Sequence, residues 1–299
     1  MLKKAKGEKT MKIKKAVIPA AGYGTRMLPA SKAIPKELLP IVDKPAIQYI
    51  VEEAVKSGIE DIVIILSRGK SAVEDHFDRC PDLEGKLISG NKAKELEACL
   101  NVANLANICF IRQKEIKGLG HAVWCTKSAI GDNPFAVMYG DDVIMGDIPA
   151  TKELCDAYEE YGLGVAGIKE VSREAIVKYS SLKVEPLKDK IYKVTDMIEK
   201  PKPGQEYSLF SILGRVVLPS EIFSIIENTP PGAGNEIQLT DAMKTLAKTK
   251  GMTGVDFSGT RYDMGNKLGV MQACVETALK HEEIGADFRK YLLELMKTL

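Results

Sequence analysis

Residues 16–40 read AVIPAAGYGTRMLPASKAIPKELLP. A short apolar run, Ala16 to Ile18, enters a loop carrying Gly22 and Gly24. The loop then delivers Arg26, Lys32 and Lys36, set apart by prolines. Glycines after a strand let the backbone approach a phosphate, and the exposed N–H groups bind its oxygens. Cations just past such a turn point to a polyanion. Glycine spacing alone favours a plain tight turn; Arg26 and Lys36 move the reading toward phosphate, while Lys32 reads as solvated. The pattern is not G-x-G-x-x-G, since Met27 stands at the last position, and no G-K-[ST] follows. A nicotinamide site or a P-loop is therefore disfavoured.

Beyond this stretch, short apolar runs recur at 62–66 (IVIIL), 108–111, 135–139 and 163–168. Runs of this length suit strands buried on both faces. Helical patterns lie between them. Ile47, Ile50, Val51, Ala54 and Val55 form one stripe, with Glu52, Glu53 and Lys56 off it, and Pro45 and Gly58 bracket the helix. Alternating β and α elements predict an α/β fold: a Rossmann-like, doubly wound mixed sheet flanked by helices, with ligands at the carboxyl ends of its strands. After about residue 170 the pattern changes to a meander of short polar strands, LKVEPLKDKIYKVTDMIEKP, then another strand, SILGRVVLP. A loop and helix follow at PPGAGNEIQLTDAMKTLAK, and the last thirty residues read as helical, with Phe288, Tyr291, Leu292, Leu295 and Met296 on one stripe. The expected organisation is a flexible tail over 1–11 and a single domain over 12–299. Within it, a sugar-binding subregion spans about 170–265 and helices about 266–299.

The chain has 299 residues, 45% hydrophobic, and 42 basic against 41 acidic side chains give a net charge of +1. That balance offers no electrostatic case for a nucleic acid or membrane partner, so any anion site is local. The six cysteines form no C-x-x-C pair, and His76, His121 and His281 are not clustered with them. Core thiols in a reducing cytosol are the expectation. The basic leader MLKKAKGEKT has no apolar segment behind it, and no run reaches the length of a membrane span. A cytoplasmic protein is expected.

Four further constellations carry chemistry. Asp141 and Asp142 follow the run ending at Tyr139, where a doubly wound sheet binds ligand; hard carboxylate oxygens suit Mg²⁺, and an Asp-rich turn reads equally well. Asp263, in RYDMGNKLG, is a second metal ligand or a helix cap, the cap being the commoner case. Glu199-Lys200 before Pro201 pairs a hydroxyl-binding carboxylate with a phosphate-binding ammonium, or is a surface ion pair. Gln113, with Gly118 and Gly120 nearby, has an amide that donates and accepts and so reads a base edge; His121 reads as structural.

Taken in this order, the motifs resemble the bacterial UTP–glucose-1-phosphate uridylyltransferases, or UDP-glucose pyrophosphorylases, from about residue 12 to 295. The segments are AVIPAAGYGTRMLPASKAIPKELLPIVDKPAIQYIVEEA, EDHFD, IRQ…KGLGHAV, GDD, IEKPKP, PPGAGNEIQLTDA and YDMGNKLG. The G-x-G-T-R and PKE-LLP core is general to sugar nucleotidyltransferases; GLGHAV, GAGNEIQLTDA and GNKLG are narrower. The resemblance implies the nucleotide-diphospho-sugar transferase fold and transfer of a uridylyl group from UTP to glucose 1-phosphate. It implies that Ala20, Ala21 and Gly22 hold the nucleotide and that Gln113 and Gly118 read the uracil. Gly24, Thr25, Arg26 and Lys36 would grip the triphosphate, and Asp141 and Asp263 would hold Mg²⁺, with Asp142 in reserve. Glu199 would bind sugar hydroxyls and Lys200 the sugar phosphate. A homodimer or homotetramer is expected from the family and the apolar C-terminal helix.

Three positions depart from the family pattern, all on the sugar side. Tyr179-Ser180 stands where a Tyr-Gly pair is usual, Leu209 where Asn is frequent and Val216 where Tyr is frequent; the resemblance implies that Ser180, in the place of a glycine that approaches the sugar, is a substrate-binding position. The rival readings are a nucleotidyltransferase for another sugar phosphate or for dTTP, a glycosyltransferase consuming UDP-sugar, and a non-catalytic UDP-sugar-binding protein. A glycosyltransferase needs no cations for a leaving pyrophosphate, which Arg26 and Lys36 would supply.

Overall fold

The computed structural model describes residues 11–298. The expected tail lies outside the described residues except for Met11, which is exposed. The strands are β1 (Lys15–Pro19), β2 (Pro40–Ile41), β3 (Lys44–Pro45), β4 (Asp61–Leu66), β5 (Asn107–Arg112), β6 (Phe135–Met138), β7 (Asp142–Met145), β8 (Gly164–Glu170), β9 (Ser180–Lys188), β10 (Ile191–Glu199), β11 (Phe210–Leu218), β12 (Met252–Asp256) and β13 (Thr260–Asp263). Nine of them form one mixed sheet in the order β5-β4-β1-β6-β11-β8-β12-β10-β9. β1 is parallel to both β4 and β6, and β4 to β5. β11 runs antiparallel to its neighbours β6 and β8.

The sheet separates two cores, and alternation along each strand decides which side chain enters which. Ala16 and Ile18 of β1 join one core, and Val17 joins the other. Ile62, Ile64 and Leu66 of β4 likewise oppose Val63 and Ile65. The chain winds from β1 outward through β4 to β5, then returns to the other side of β1 as β6. That reversal is the topological switch point, where loops diverge and leave a crevice at the strands' carboxyl ends. The crevice is bounded by residue 20, just past β1, and residues 139–141, just past β6.

The helix Ala46–Lys56 begins after Pro45 and buries Ile47, Ile50, Val51 and Ala54, as the stripe predicted. Glu53 is a correction: it is buried rather than off the packed face. Its carboxylate takes Arg215 Nη2 at 2.6 Å from β11 and the Thr151 hydroxyl at 2.7 Å. A buried charge survives only when so paired, and the stripe rule cannot see a partner 162 positions away. The polar meander forms two nine-residue strands, β9 and β10, longer than expected. All six cysteines are free, but only Cys155 is a core thiol; Cys80 and Cys109 are exposed. The C-terminal helices are Lys267–Ala278 and Gly285–Met296, and Tyr291 and Met296 of the predicted stripe stay exposed. No helix among the described residues is long and apolar enough to cross a membrane.

Candidate active site

Two loops meet at the switch point because one residue lacks a side chain. Gly140 N–H donates to Pro19 O at 3.2 Å, and a Cβ on Gly140 would lie 2.7 Å from that oxygen. The contact seats the loop after β6 against the end of β1, and so brings Asp141 beside the glycine loop. Lys36 Nζ meets Asp141 Oδ2 at 2.5 Å. Burial would raise the Asp141 carboxyl, but the Lys36 ammonium outweighs it and holds the group below the usual carboxylate range. Burial likewise opposes the charge on Lys36, and Asp141 overrides it, raising the ammonium's pKa.

The glycine loop is anchored from beneath. Ala20 N–H donates to Ile65 O at 2.8 Å, and Ala20 and Ala21 are buried. Lys70 lies just past β4 and is buried; its Nζ donates to Ala20 O at 2.5 Å and to both Glu37 oxygens at 2.9 and 2.8 Å. One ammonium thus ties the start of the glycine loop to the PKE segment that carries Lys36. Gly22, Thr25 and Arg26 are exposed in the loop above it. Gly24 takes φ 67°, and its carbonyl accepts from Ser31 Oγ at 2.7 Å.

Asp141 and Asp142 face different surroundings. Asp141 keeps about a quarter of its side chain exposed (27%), whereas Asp142 keeps 5%. Asp142 Oδ1 accepts from Arg261 Nε at 2.7 Å and Nη2 at 2.5 Å. Burial pushes its carboxyl up to about 6 against the pull of Arg261, and Asp141 and Asp263 add to the rise. Asp263 pairs with Asp142 across the β7–β13 ribbon, and Met264 N–H donates to Asp141 O at 2.8 Å. The ribbon therefore sets Asp263 beside both aspartates. Asp263 Oδ2 lies 3.8 Å from Arg26 Nη1, and its Oδ1 accepts from Gly265 N–H at 2.8 Å. Asp263 is not the helix cap; Asn266 is, accepting from Gly269 N–H at 2.8 Å.

A second group lies along the β9–β10 side. Glu199 ends β10 and accepts from Thr240 Oγ1 at 2.8 Å. Burial raises its carboxyl despite that bond. Lys200 follows in a left-handed conformation, φ 47°, with its N–H on Tyr179 O at 2.8 Å and its half-exposed ammonium 4.0 Å from Glu199. Ser180 is buried, and its hydroxyl accepts from Ile212 N–H at 3.1 Å, so its oxygen is engaged inside the sheet. Leu209 O accepts from Val171 N–H at 3.0 Å, and Val216 is fully buried in β11.

Gln113 and Gly118 are brought together as expected. Gln113 Nε2 lies 3.3 Å from Gly118 O and 2.9 Å from His121 Nδ1. Burial lowers the His121 pKa, which favours the neutral ring able to accept that bond. Gly118 sits at φ 99°, and a Cβ there would lie 2.7 Å from Glu236 Cβ and 2.8 Å from Ile237 O. Ile237 exchanges backbone bonds with Lys117 and Gly120, both at 2.8 Å. The GLG and GNEIQ motifs are thus two sides of one contact, and the helix behind Ile237 carries Thr240 to Glu199.

Sequence reading missed Arg261, Tyr179, Lys70, Glu37 and Thr240. Lys70 carried a usable signal, a cation at the turn after an apolar run, the same feature that marks the aspartates after β6. Arg261 stood two residues before Asp263 in RYD, on the same face of a strand. Among the described residues, no three or more His, Cys, Asp or Glu side chains are arranged to hold a metal. The arrangement offers two carboxylates held close by the β7–β13 ribbon, Asp141 and Asp263, beside the cations Lys36 and Arg26.

The description nucleotidyl transferase matches residues 15–278 as a family profile. The chain belongs to the nucleotidyl transferase family. It is similar to the UTP–glucose-1-phosphate uridylyltransferase YngB of Bacillus subtilis (strain 168), 49% identical over 286 residues, 96% of each chain. Among solved structures it is similar to a UDP-glucose pyrophosphorylase complexed with UDP-glucose, with a TM-score of 0.82 and 40% identity over 90% of this chain and 100% of that one. A UTP-bound enzyme of the same kind from Acinetobacter baumannii gives 0.86 and 35% over 95% and 99%. The family resemblance and the nucleotidyltransferase fold read from the motifs are both borne out, and the chain is an enzyme of nucleotidyl transfer.

Proposed function

We propose that this enzyme transfers the uridylyl group of UTP to glucose 1-phosphate, releasing pyrophosphate and UDP-glucose. The observation that carries the chemistry is the convergence at one crevice of Lys36, Arg26, Asp141 and Asp263. The substrates follow from the relatives, which share 49% of residues over nearly the whole length. A phosphate oxygen of glucose 1-phosphate attacks the α-phosphorus of UTP in line; the new P–O bond forms as the bond to the β-phosphate oxygen breaks. The attacking oxygen is already anionic at neutral pH, so no general base is needed. Rate comes from positioning and charge stabilisation.

In this reading the backbone of Ala20, Ala21, Gly22, Gly24 and Thr25 holds the nucleotide, and Arg26 and Lys36 neutralise the departing pyrophosphate. The Gln113 NH₂ faces Gly118 and His121, which leaves Oε1 to accept from the N3–H of uracil; cytosine has a lone pair there. Lys200 holds the sugar phosphate and Glu199 the hydroxyls. Asp141 and Asp263 fit Mg²⁺, a hard cation that takes one or two carboxylates plus substrate phosphate oxygens. When bound, Mg²⁺ would polarise the phosphates and offset their charge. Asp141 is the more open of the adjacent pair and is assigned the metal; Asp142 is assigned to Arg261.

The described residues form a single unit with the sugar side on β9–β11. The enzyme works in the cytoplasm, and the exposed apolar residues of Gly285–Met296 suit a homodimer or homotetramer. The test is pyrophosphate release with Mg²⁺, crossing UTP, dTTP, CTP and ATP with glucose, galactose, N-acetylglucosamine and mannose 1-phosphates. A dominant UTP and glucose 1-phosphate signal is expected. Turnover with another sugar reassigns the substrate, and no release with any pair rejects the reading.

A further inference from the structure

The nucleotide and sugar sides are joined by two residues to which the transfer assigns no task. Arg261 lies on β13, two residues before Asp263, with 14% of its side chain exposed. Its Nε and Nη2 both hold Asp142 Oδ1, and its Nη1 lies 3.2 Å from the Tyr179 hydroxyl. The guanidinium centre stands 5.0 Å from the centroid of the Tyr179 ring. The Tyr179 hydroxyl is also 3.4 Å from Asp263 Oδ2, and Arg261 Nη2 is 3.9 Å from the same oxygen. The Tyr179 backbone carbonyl, meanwhile, accepts the Lys200 N–H. A continuous path therefore runs from Asp142 and Asp263 through Arg261 and Tyr179 to Lys200.

Part of this arrangement answers a local need. Asp142 and Asp263 are direct cross-strand partners, and like charges so placed repel. A guanidinium between them relieves the repulsion, and a methionine-like filler would not. That need does not explain Tyr179. A ring stacked on the guanidinium with its hydroxyl on Asp263 and its carbonyl on Lys200 does something further. It fixes the left-handed turn that presents Lys200 relative to the carboxylate beneath Arg26.

We propose that Arg261 and Tyr179 are a positioning pair that sets the separation of Asp263 and Lys200, and thereby aligns the sugar phosphate with the α-phosphate. The proposal rests on the transfer reading above. Its reach comes from the sensitivity of in-line attack to small displacements, where about 1 Å of misplacement costs on the order of a hundredfold.

Tyr179→Phe removes one hydroxyl and keeps the ring beneath the guanidinium, so the fold should persist. Arg261→Lys keeps a cation and loses the planar fork; Arg261→Met serves as the severe variant and needs only to be shown folded by its melting curve. In pyrophosphate-release kinetics, Tyr179→Phe is expected to lower kcat and to raise KM for glucose 1-phosphate by about tenfold, leaving KM for UTP within about twofold. Calorimetry should agree: UDP-glucose binds more weakly to the variant and UDP binds as before. The double variant Tyr179→Phe with Arg261→Lys should be no worse than the worse single one, because parts of one unit are non-additive. Wild-type turnover decides the reading beneath the proposal, and its failure overturns both. With wild-type turnover intact, three results each overturn the pair alone: equal changes in both KM values, a loss of melting temperature with unchanged kinetics, or additive single effects.

Discussion

The two halves of the crevice are built by different means. On the nucleotide side, the proposed phosphate contacts combine backbone N–H groups with Arg26 and Lys36, on a loop fixed from below by Gly140 and the Lys70–Glu37 pair. On the sugar side, the proposed groups are the side chains of Glu199, held by the Thr240 hydroxyl, and Lys200, whose backbone N–H rests on the Tyr179 carbonyl. Thr240 donates to Glu199; Ser181 Oγ donates to Ser208 O at 2.8 Å and accepts from Tyr207 N–H at 2.9 Å, pinning the turn after Lys200. Backbone recognition tolerates almost no change, since it depends on close approach. Hydroxyl networks tolerate substitution if donors and acceptors still balance.

The largest effects should fall on the nucleotide side. Asp141→Asn is expected to reduce turnover by about a hundredfold or more and to shift the Mg²⁺ titration to much higher concentration, as loss of a charge-stabilising group does. Asp142→Asn should leave the Mg²⁺ midpoint nearly in place, because that carboxylate is spent on Arg261. If the two titrations exchange behaviour, the metal belongs to Asp142. Arg26→Ala should also cost about a hundredfold in kcat, with unchanged melting, since its side chain is largely exposed.

Next in size is the buried pair under the glycine loop. Lys70→Met leaves Glu37 buried and unpaired, a loss of about 3–5 kcal/mol in comparable cases. It also frees the Ala20 carbonyl, so KM for UTP should rise more than KM for glucose 1-phosphate. Thermal melting and the two KM values test this together. A lower melting temperature with both KM values unmoved would mean that the loop holds its shape without the lysine.

The same contrast governs how much was legible in the sequence. The glycine loop, Asp141, Asp263, Gln113 and Gly118 were legible because close backbone approach and strand-end carboxylates leave local marks: glycines, prolines and charged residues beside apolar runs. The sheet's strands were legible from their continuous apolar runs, and the helix Ala46–Lys56 from its stripe. Glu53 with Arg215, Lys70 with Glu37, and Arg261 with Tyr179 were not. Each is a pair whose members are far apart in the chain, and a lone charge in a sequence looks solvated until its partner is known. Asp142 and Asp141 are adjacent in sequence yet differ fivefold in exposure, 5% against 27%, a difference created by Arg261 on another strand.

Ser180 offers a sharper test on the sugar side. Its hydroxyl satisfies the buried Ile212 N–H, so Ser180→Gly removes an acceptor and adds chain freedom. The expected loss is about 1–2 kcal/mol of stability, with KM for glucose 1-phosphate changed less than about threefold. A large fall in that KM would mean that the Ser180 Cβ crowds the sugar and that the departure from the family pattern costs affinity.

The smallest effect has the opposite sign. Burial raises the Glu199 carboxyl above its ordinary value, against the bond from Thr240. The native state then holds that proton more tightly than the unfolded chain does. The group's contribution to stability is therefore complete below its unfolded pKa and is lost as pH rises through the higher folded value. At pH 8 the ionised carboxylate costs stability that Gln would not, while the amide oxygen still accepts from Thr240. Glu199→Gln should thus raise the melting temperature at pH 8 by about 2 °C, the scale of a sub-kilocalorie change in a chain of this size. The gain should shrink as pH falls through the raised folded value, where the wild-type group takes up its proton. The same variant should raise KM for glucose 1-phosphate and leave KM for UTP unchanged, because a carboxylate placed for hydroxyls is kept despite its cost to the fold. A variant that melts lower at pH 8, or whose advantage grows on acidification, would show that Thr240 and Lys200 fully compensate the buried charge.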